Sequence, residues 1–255
     1  MKTVVLCGGL GTRLSEETTV KPKPMVEIGT RPILWHVMQI YQSYGFEDFA
    51  LALGYKGEII KEYFLNYHAR CSDITVNISN GQVEYLTRRS ENWRIDLIDT
   101  GERTLTGGRL LRLKDRMRGS GTFMVTYGDG VADVDIKKLV EYHKRHGKVA
   151  TVTAVRPSAR FGGVTIDNGQ VVRFEEKPQS GEGWINGGFF VFEPAVFNYL
   201  IDDFTVLERE PLENLVREGQ LMAYQHSGFW QCMDTVRDKD VLQSLWNNGK
   251  APWLK

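Results

Sequence analysis

The chain has 255 residues, with 32 Lys+Arg against 32 Asp+Glu for a formal net charge of +0; 42% of its residues are hydrophobic, 25% charged and 11% aromatic. A chain of this length buries roughly three-quarters of its extended surface. That fits a single domain over residues 1–255 with one sizeable core better than two equal halves. The composition excludes disorder, and the balanced charge excludes a surface that tracks nucleic acid or acidic lipid as a whole.

Residues 3–7 are a short β-branched run stopped by Gly8-Gly9, which suits a buried first strand. The run is too short for a signal h-region, and no later stretch approaches a membrane span. With Cys7, Cys71 and Cys232 lacking CxxC spacing, the expected setting is a reducing one, the cytoplasm, with no membrane partner.

Residues 33–44 (ILWHVMQIYQSY) place Ile33, Val37, Ile40, Tyr41 and Tyr44 at helical spacing before Gly45, a C′ residue. Residues 49–53 read as a strand and 57–67 as a helix. Residues 121–127 form a strand running into Gly128-Asp129-Gly130, followed by a helix over 136–146 and a strand over 149–155. Alternation in this order predicts an α/β fold: a mostly parallel, Rossmann-like central sheet with helices on both faces. Asn80-Gly81 within 74–86 and Asn168-Gly169 within 163–174 are hairpin signals of the type I′ kind. The first leads into the polar residues 88–96, so that about 74–96 reads as an insertion. The second is a smaller β-hairpin subregion expected beside the main sheet. A helical tail is expected over about 236–255.

The segment LCGGLGTRL, residues 6–14, follows the first strand directly. It is not a Walker loop, since no Gly-Lys-Ser/Thr follows. It is not a dinucleotide fingerprint either, since Leu14 stands where a third glycine is needed. What remains is a backbone nest for an anion with Thr12 and Arg13 at its lip, and the Arg13 guanidinium suits phosphate oxygens; a plain strand-to-helix turn is the alternative. Lys21-Pro22-Lys23-Pro24 then presents Lys23 from a stiff segment, either toward the same polyphosphate or as part of a solvated turn.

GGLGTRL followed by KPKPM, with TGGRL, TYGDG, FEEKP, WINGGFF and GFWQCMDT further on, resembles the sugar-1-phosphate nucleotidyltransferases along the whole chain. The resemblance implies transfer of a cytidylyl group from CTP to glucose 1-phosphate with Mg²⁺ as cofactor, in a homo-oligomer. Uridylyl or thymidylyl transfer to another sugar 1-phosphate is an alternative. A more distant one is a nucleotide-sugar glycosyltransferase using Asp133-Val134-Asp135 as its acidic motif. The resemblance places the nucleotide on Leu6, Gly8, Gly9, Gly11, Thr12 and Gly128, with Arg13 and Lys23 on its phosphates, and assigns Asp129 and Asp234 to the metal. It gives the sugar to Glu176, Asn186 and Gly187, with Lys177 on the sugar phosphate.

The residues themselves add physical reasons. Asp129 ends an apolar strand between two glycines, at the carboxyl edge of a parallel sheet where ligands bind; a turn residue is the alternative. Asp234 has a helix N-cap role as its alternative. Thr104, Gly107, Gly108 and Arg109 lie in a polar loop opening a helix, a region that in the family reads the base. Cytosine presents O2 and N3 as acceptors and a guanidinium has donors only, so Arg109 suits cytosine; the other reading is a first-turn residue facing solvent. His143 and His146, three apart on a helix, lack a third ligand and read as a solvated helix end.

Overall fold

Val4, Val5, Leu6 and Cys7 are all buried, so β1 (Lys2–Cys7) is covered on both faces, the situation of a central parallel strand. The computed structural model describes residues 1–9, 11, 14–87, 91–117, 119–157, 163–167, 170–175 and 183–254. Around β1 lie β2 (Asp48–Leu53), β3 (Arg94–Asp99), β4 (Phe123–Tyr127), β5 (Ala150–Val155), β6 (Ile185–Phe192) and β7 (Leu221–His226). They form one seven-stranded sheet in the order β7-β5-β6-β4-β1-β2-β3. Each neighbouring pair is parallel except the two that involve β6, which runs antiparallel to both β4 and β5.

Side chains alternate across the sheet, and the core divides accordingly. Val5, Leu51 and Phe189 face α1 (Ile33–Gln42), α2 (Gly57–Leu65), α4 (Ile136–His146) and α6 (Val236–Asn247) on one side. Val4, Ala50 and Phe190 face α3 (Thr106–Arg112) and α5 (Glu210–Arg217) on the other. Helices thus cover both faces, as the alternation of elements predicted.

Three expectations need correction. Ile74–Asn77 and Gln82–Tyr85 do pair, but with Asn77 opposite Gln82. The connection is therefore a four-residue loop closed by the Gly81 N–H on the Asn77 carbonyl at 2.8 Å. Gly81 (φ 72°) is the loop's positive-φ residue, whereas a type I′ turn needs two. The polar residues 88–96 end inside the sheet, because Arg94–Asp99 is its edge strand and Asp96 accepts from Lys2 Nζ at 2.6 Å. Nor is His143 solvated: it is 1% exposed, with Nδ1 2.8 Å from Thr151 Oγ1 and Nε2 3.2 Å from Glu193 Oε1. The second hairpin pairs Gly163–Asp167 with Gln170–Glu175 outside the seven-stranded sheet. Its tip, Asn168-Gly169, lies outside the described residues.

Candidate active site

Parallel pairing of β1 with β4, with Leu6 opposite Tyr127, brings the glycine loop and Gly128-Asp129 to the same sheet edge. The Gly128 N–H donates to the Leu6 carbonyl at 3.1 Å. A Cβ at Gly128 would stand 3.2 Å from that oxygen and 3.0 Å from Pro24 Cγ, so glycine here lets the Lys-Pro segment close against the strand ends. Met25 N–H to the Pro22 carbonyl, 2.8 Å, turns the segment so that Lys23 faces inward.

Asp234 arrives by a second route. Trp230–Cys232 pairs antiparallel with Gly130–Ala132, Cys232 opposite Gly130, and the Met233 N–H donates to the Asp129 carbonyl at 2.8 Å. The two carboxylates are thereby set across from each other. The cap of α6 is Thr235, whose hydroxyl accepts from the Asp238 N–H at 3.2 Å while the Asp238 carboxylate accepts from the Thr235 N–H at 2.9 Å. The N-cap alternative for Asp234 is therefore corrected.

Lys23 Nζ lies 2.6 Å from Asp129 Oδ2 and 2.5 Å from Asp234 Oδ1, with its side chain 12% exposed. Burial alone would depress the ammonium's pKa, but the two carboxylates outweigh it and hold the pKa above the ordinary lysine value. One cation thus already reaches both carboxylates. Two carboxylates that meet at one cation suit a hard divalent ion, which takes oxygen ligands and can leave its remaining positions to phosphates and water. Among the described residues there is no group of three or more His, Cys, Asp or Glu suited to a metal. Beside the pair, burial and the neighbouring Asp234 push the Cys232 thiol up to about 12.

These residues floor a cleft of about 660 Å³. Leu6, Gly8, Gly9, Gly11, Lys23, Thr104, Arg109, Gly128, Asp129, Asn186 and Asp234, all singled out in the sequence, line it. Gly107 and Gly108 do not. They let α3 approach the segment 203–205, where a Cβ on Gly108 would stand 2.4 Å from the Asp203 carbonyl oxygen. Gly187 serves β5 in a similar way, since a Cβ there would stand 2.9 Å from the Thr153 carbonyl oxygen. Thr12, Arg13, Glu176 and Lys177 lie outside the described residues.

Arg109 is 4% exposed, which corrects the solvent-facing alternative. Its Nη1 donates to the Leu53 carbonyl, Thr100 Oγ1 and the Gly101 carbonyl at 3.0, 2.8 and 2.7 Å. Its Nη2 donates to the Gly8 and Glu102 carbonyls at 2.9 and 3.1 Å. The guanidinium therefore ties the glycine loop, the end of β2 and the loop before α3 together.

Sequence alone assigns no role to Tyr127, Thr106, Trp230 or Glu208, although Thr106, Tyr127 and Trp230 stand in or beside the motif segments. The first three line the cleft. Tyr127 donates its hydroxyl to Glu208 Oε1, Thr106 donates to Glu208 Oε2 at 2.6 Å, and Asn186 Nδ2 donates to Tyr127 Oη at 3.3 Å. Trp230 Nε1 donates to the Gly187 carbonyl at 2.8 Å. Tyr127 stood in the quoted TYGDG stretch, but Glu208 carries no local signal in sequence.

Residues 2–235 match the family model described as nucleotidyl transferase. The chain is 53% identical over 253 residues to a glucose-1-phosphate cytidylyltransferase of Salmonella typhi, spanning 99% of this chain and 98% of the relative. It is 48% identical over 254 residues to a probable glucose-1-phosphate cytidylyltransferase of Bacillus subtilis (strain 168), spanning 99% of each. The crystal structure of HddC from Yersinia pseudotuberculosis superposes with a TM-score of 0.72 at 23% identity, covering 96% of this chain and 99% of that one, a likeness of fold.

Proposed function

The chain belongs to the nucleotidyl transferase family, and on that premise we propose that it transfers a cytidylyl group from CTP to glucose 1-phosphate, giving CDP-glucose and pyrophosphate. The observation that carries this reading is the near-full-length identity to glucose-1-phosphate cytidylyltransferases. The convergence of Lys23, Asp129 and Asp234 on one point of the cleft is its chemical counterpart.

The reaction needs charge neutralisation and alignment more than covalent chemistry. A phosphate oxygen of the sugar 1-phosphate, already an anion near neutral pH, attacks the α-phosphorus of CTP in line. The new P–O bond forms as the bond to the β-phosphate oxygen breaks, and pyrophosphate leaves with that electron pair. No general base is required. The glycine-loop amides, Arg13 and Lys23 hold the triphosphate, and Lys177 positions the attacking phosphate. Asp129 and Asp234 would hold Mg²⁺, which would supply positive charge beside the reacting phosphates. Asn186, with Glu176, meets the sugar. Thr104 and Arg109 stand on the side of the cleft that receives the base, where Arg109 fixes the Gly8 and Glu102 backbone.

Pyrophosphate release should be measured with CTP, UTP and dTTP against a panel of sugar 1-phosphates, with and without Mg²⁺. CTP with glucose 1-phosphate is expected to lead. Release that is as fast with UTP refutes the cytidylyl assignment. A glycosyltransferase would instead consume a ready-made nucleotide sugar and release none. The same panel on Arg109→Ala tests base reading, which an unchanged preference for CTP would exclude.

A cytoplasmic homo-oligomer completes the proposal. The hairpin of Ile74–Asn77 and Gln82–Tyr85 exposes Val76 (44%), Ile78 (88%) and Val83 (46%), apolar side chains that contact with a second copy would cover. Light scattering on the wild type and on Ile78→Lys tests whether the hairpin joins copies; an unaltered mass distribution rules it out.

A further inference from the structure

Lys23 stands on a fixed backbone between Pro22 and Pro24, so any movement of its charge comes from rotation of the side chain. In the structure two of its three ammonium protons go to Asp129 Oδ2 and Asp234 Oδ1. These are the carboxylates read above as the metal-holding pair, and the inference rests on that reading. An ammonium and a divalent cation compete for such oxygens, because each neutralises the same pair of negative charges and each repels the other at contact distance. The stem of Lys23 also lies against the glycine loop: a Cβ built on Gly11 would stand 3.4 Å from Lys23 Cβ. A rotated side chain therefore carries its charge from the carboxylates toward the loop amides, where a polyphosphate is held in the proposed reaction.

We propose that Lys23 is a displaceable counter-cation: its ammonium holds the Asp129–Asp234 pair together until a divalent cation takes the carboxylates, and the freed ammonium passes to the nucleotide phosphates. Metal and nucleotide then assist each other, since the metal releases the lysine and the phosphates give it a new partner. Without nucleotide, metal binding is weak because it strands a partly buried ammonium.

The test is Mn²⁺ binding to the full chain without nucleotide, followed by electron paramagnetic resonance, for the wild type, Lys23→Met and Asp129→Asn. Lys23→Met is expected to bind Mn²⁺ at least about fivefold more tightly than the wild type, the lower end of the range for coupled sites, and Lys23→Arg to bind it like the wild type. In chelator Lys23→Met is expected to melt below the wild type and to recover on adding Mn²⁺. If Lys23→Met does not fold, Lys23→Gln carries the same comparison. Mn²⁺ affinity in the uncharged variant no higher than in the wild type overturns the displacement. If Asp129→Asn loses Mn²⁺ at the same time, the carboxylate pair survives as the metal site and only the displacement fails. If Asp129→Asn binds Mn²⁺ like the wild type, the metal assignment and the displacement fall together.

Discussion

Arg109 donates from Nη2 to the carbonyl of Gly8 at 2.9 Å, joining the helix after residue 105 to the glycine loop across 101 positions of the chain. The guanidinium also donates to the buried Leu53 carbonyl and Thr100 hydroxyl and to the part-buried Gly101 and Glu102 carbonyls. Burial lowers its pKa, yet arginine stays charged at any ordinary pH.

Arg109→Ala should therefore cost about 1–3 kcal/mol in unfolding free energy, because the buried Gly8 carbonyl loses its donor while the Leu53 carbonyl keeps the Thr100 N–H and hydroxyl. Arg109→Lys should recover only part, because an ammonium has three donors where five bonds are made. Gly54→Ala offers an independent check from outside the cleft. Its Cβ would stand 2.4 Å from Arg109 Nη1, and a guanidinium pinned by several acceptors cannot step aside cheaply. Urea unfolding of the three variants decides; an Arg109→Ala midpoint like the wild type's would show that the clamp contributes nothing.

How much of this was legible in the sequence depends on the range of the signal. Strands 3–7 and 49–53 and the helix over 136–146 announce themselves because local periodicity reports local burial. β3 reads as polar because this edge strand is only half-buried, with Ile95 and Leu97 on one core cluster and Ile98 on the other, so Arg94, Asp96 and Asp99 carry no core signature. At the site, Lys23, Asp129 and Asp234 were recognisable from motifs, yet nothing in spacing says that residues 23, 129 and 234 share one point. The small ladder between Gly130–Ala132 and Trp230–Cys232 makes that so. Arg109 was assigned to the base from its donor inventory, while the acceptors that claim those donors come from residues 8, 53 and 100–102 and meet only in the fold.

Asp234 and Thr235 are neighbours with separable roles. Thr235→Ala should lower stability by about 1 kcal/mol through loss of the cap, with activity largely kept. Asp234→Asn should leave stability close to the wild type's but raise the Mg²⁺ concentration needed for half-maximal pyrophosphate release by at least about tenfold, the lower end for altering a metal site. Thermal melts and a Mg²⁺ titration of both variants check this. A large stability loss in Asp234→Asn with an unchanged Mg²⁺ requirement would return Asp234 to a structural role.

Tyr127 and Glu208 give a third prediction. Burial, followed by the Glu208 charge, raises the Tyr127 pKa, so its hydroxyl stays a donor to the carboxylate and an acceptor from Asn186. Tyr127→Phe removes the donor from Glu208 and the acceptor from Asn186. A loss of about 1–3 kcal/mol in stability should follow, together with a rise in KM for glucose 1-phosphate larger than that for CTP. Steady-state kinetics with each substrate varied in turn checks the split; equal rises would detach this network from the sugar end of the cleft.

The fourth prediction concerns acid. His36 is fully buried among Trp35, Trp246 and Trp253. Trp253 Nε1 can only donate, so it fixes His36 Nδ1 as an acceptor at 3.2 Å; the Ile28 carbonyl can only accept, so Nε2 carries the proton at 2.9 Å. The Trp253 donor thus requires the neutral ring, and burial, aided by the Arg31 charge, outweighs the bond to the Ile28 carbonyl and lowers the pKa to about 4 from the ordinary 6.5. Between those two values the unfolded chain binds a proton that the folded one refuses, so stability is present above pH 6.5 and falls as the pH drops toward 4. The slope from one such residue is at most about 1.4 kcal/mol per pH unit. Glutamine can donate to the Ile28 carbonyl and accept from Trp253 without titrating, so His36→Gln should flatten the slope of unfolding free energy between pH 6.5 and 5. Part of the slope should remain, because burial also lowers the His143 pKa. Urea unfolding at half-unit pH steps checks it, and a variant slope equal to the wild type's would mean that the acid sensitivity arises elsewhere.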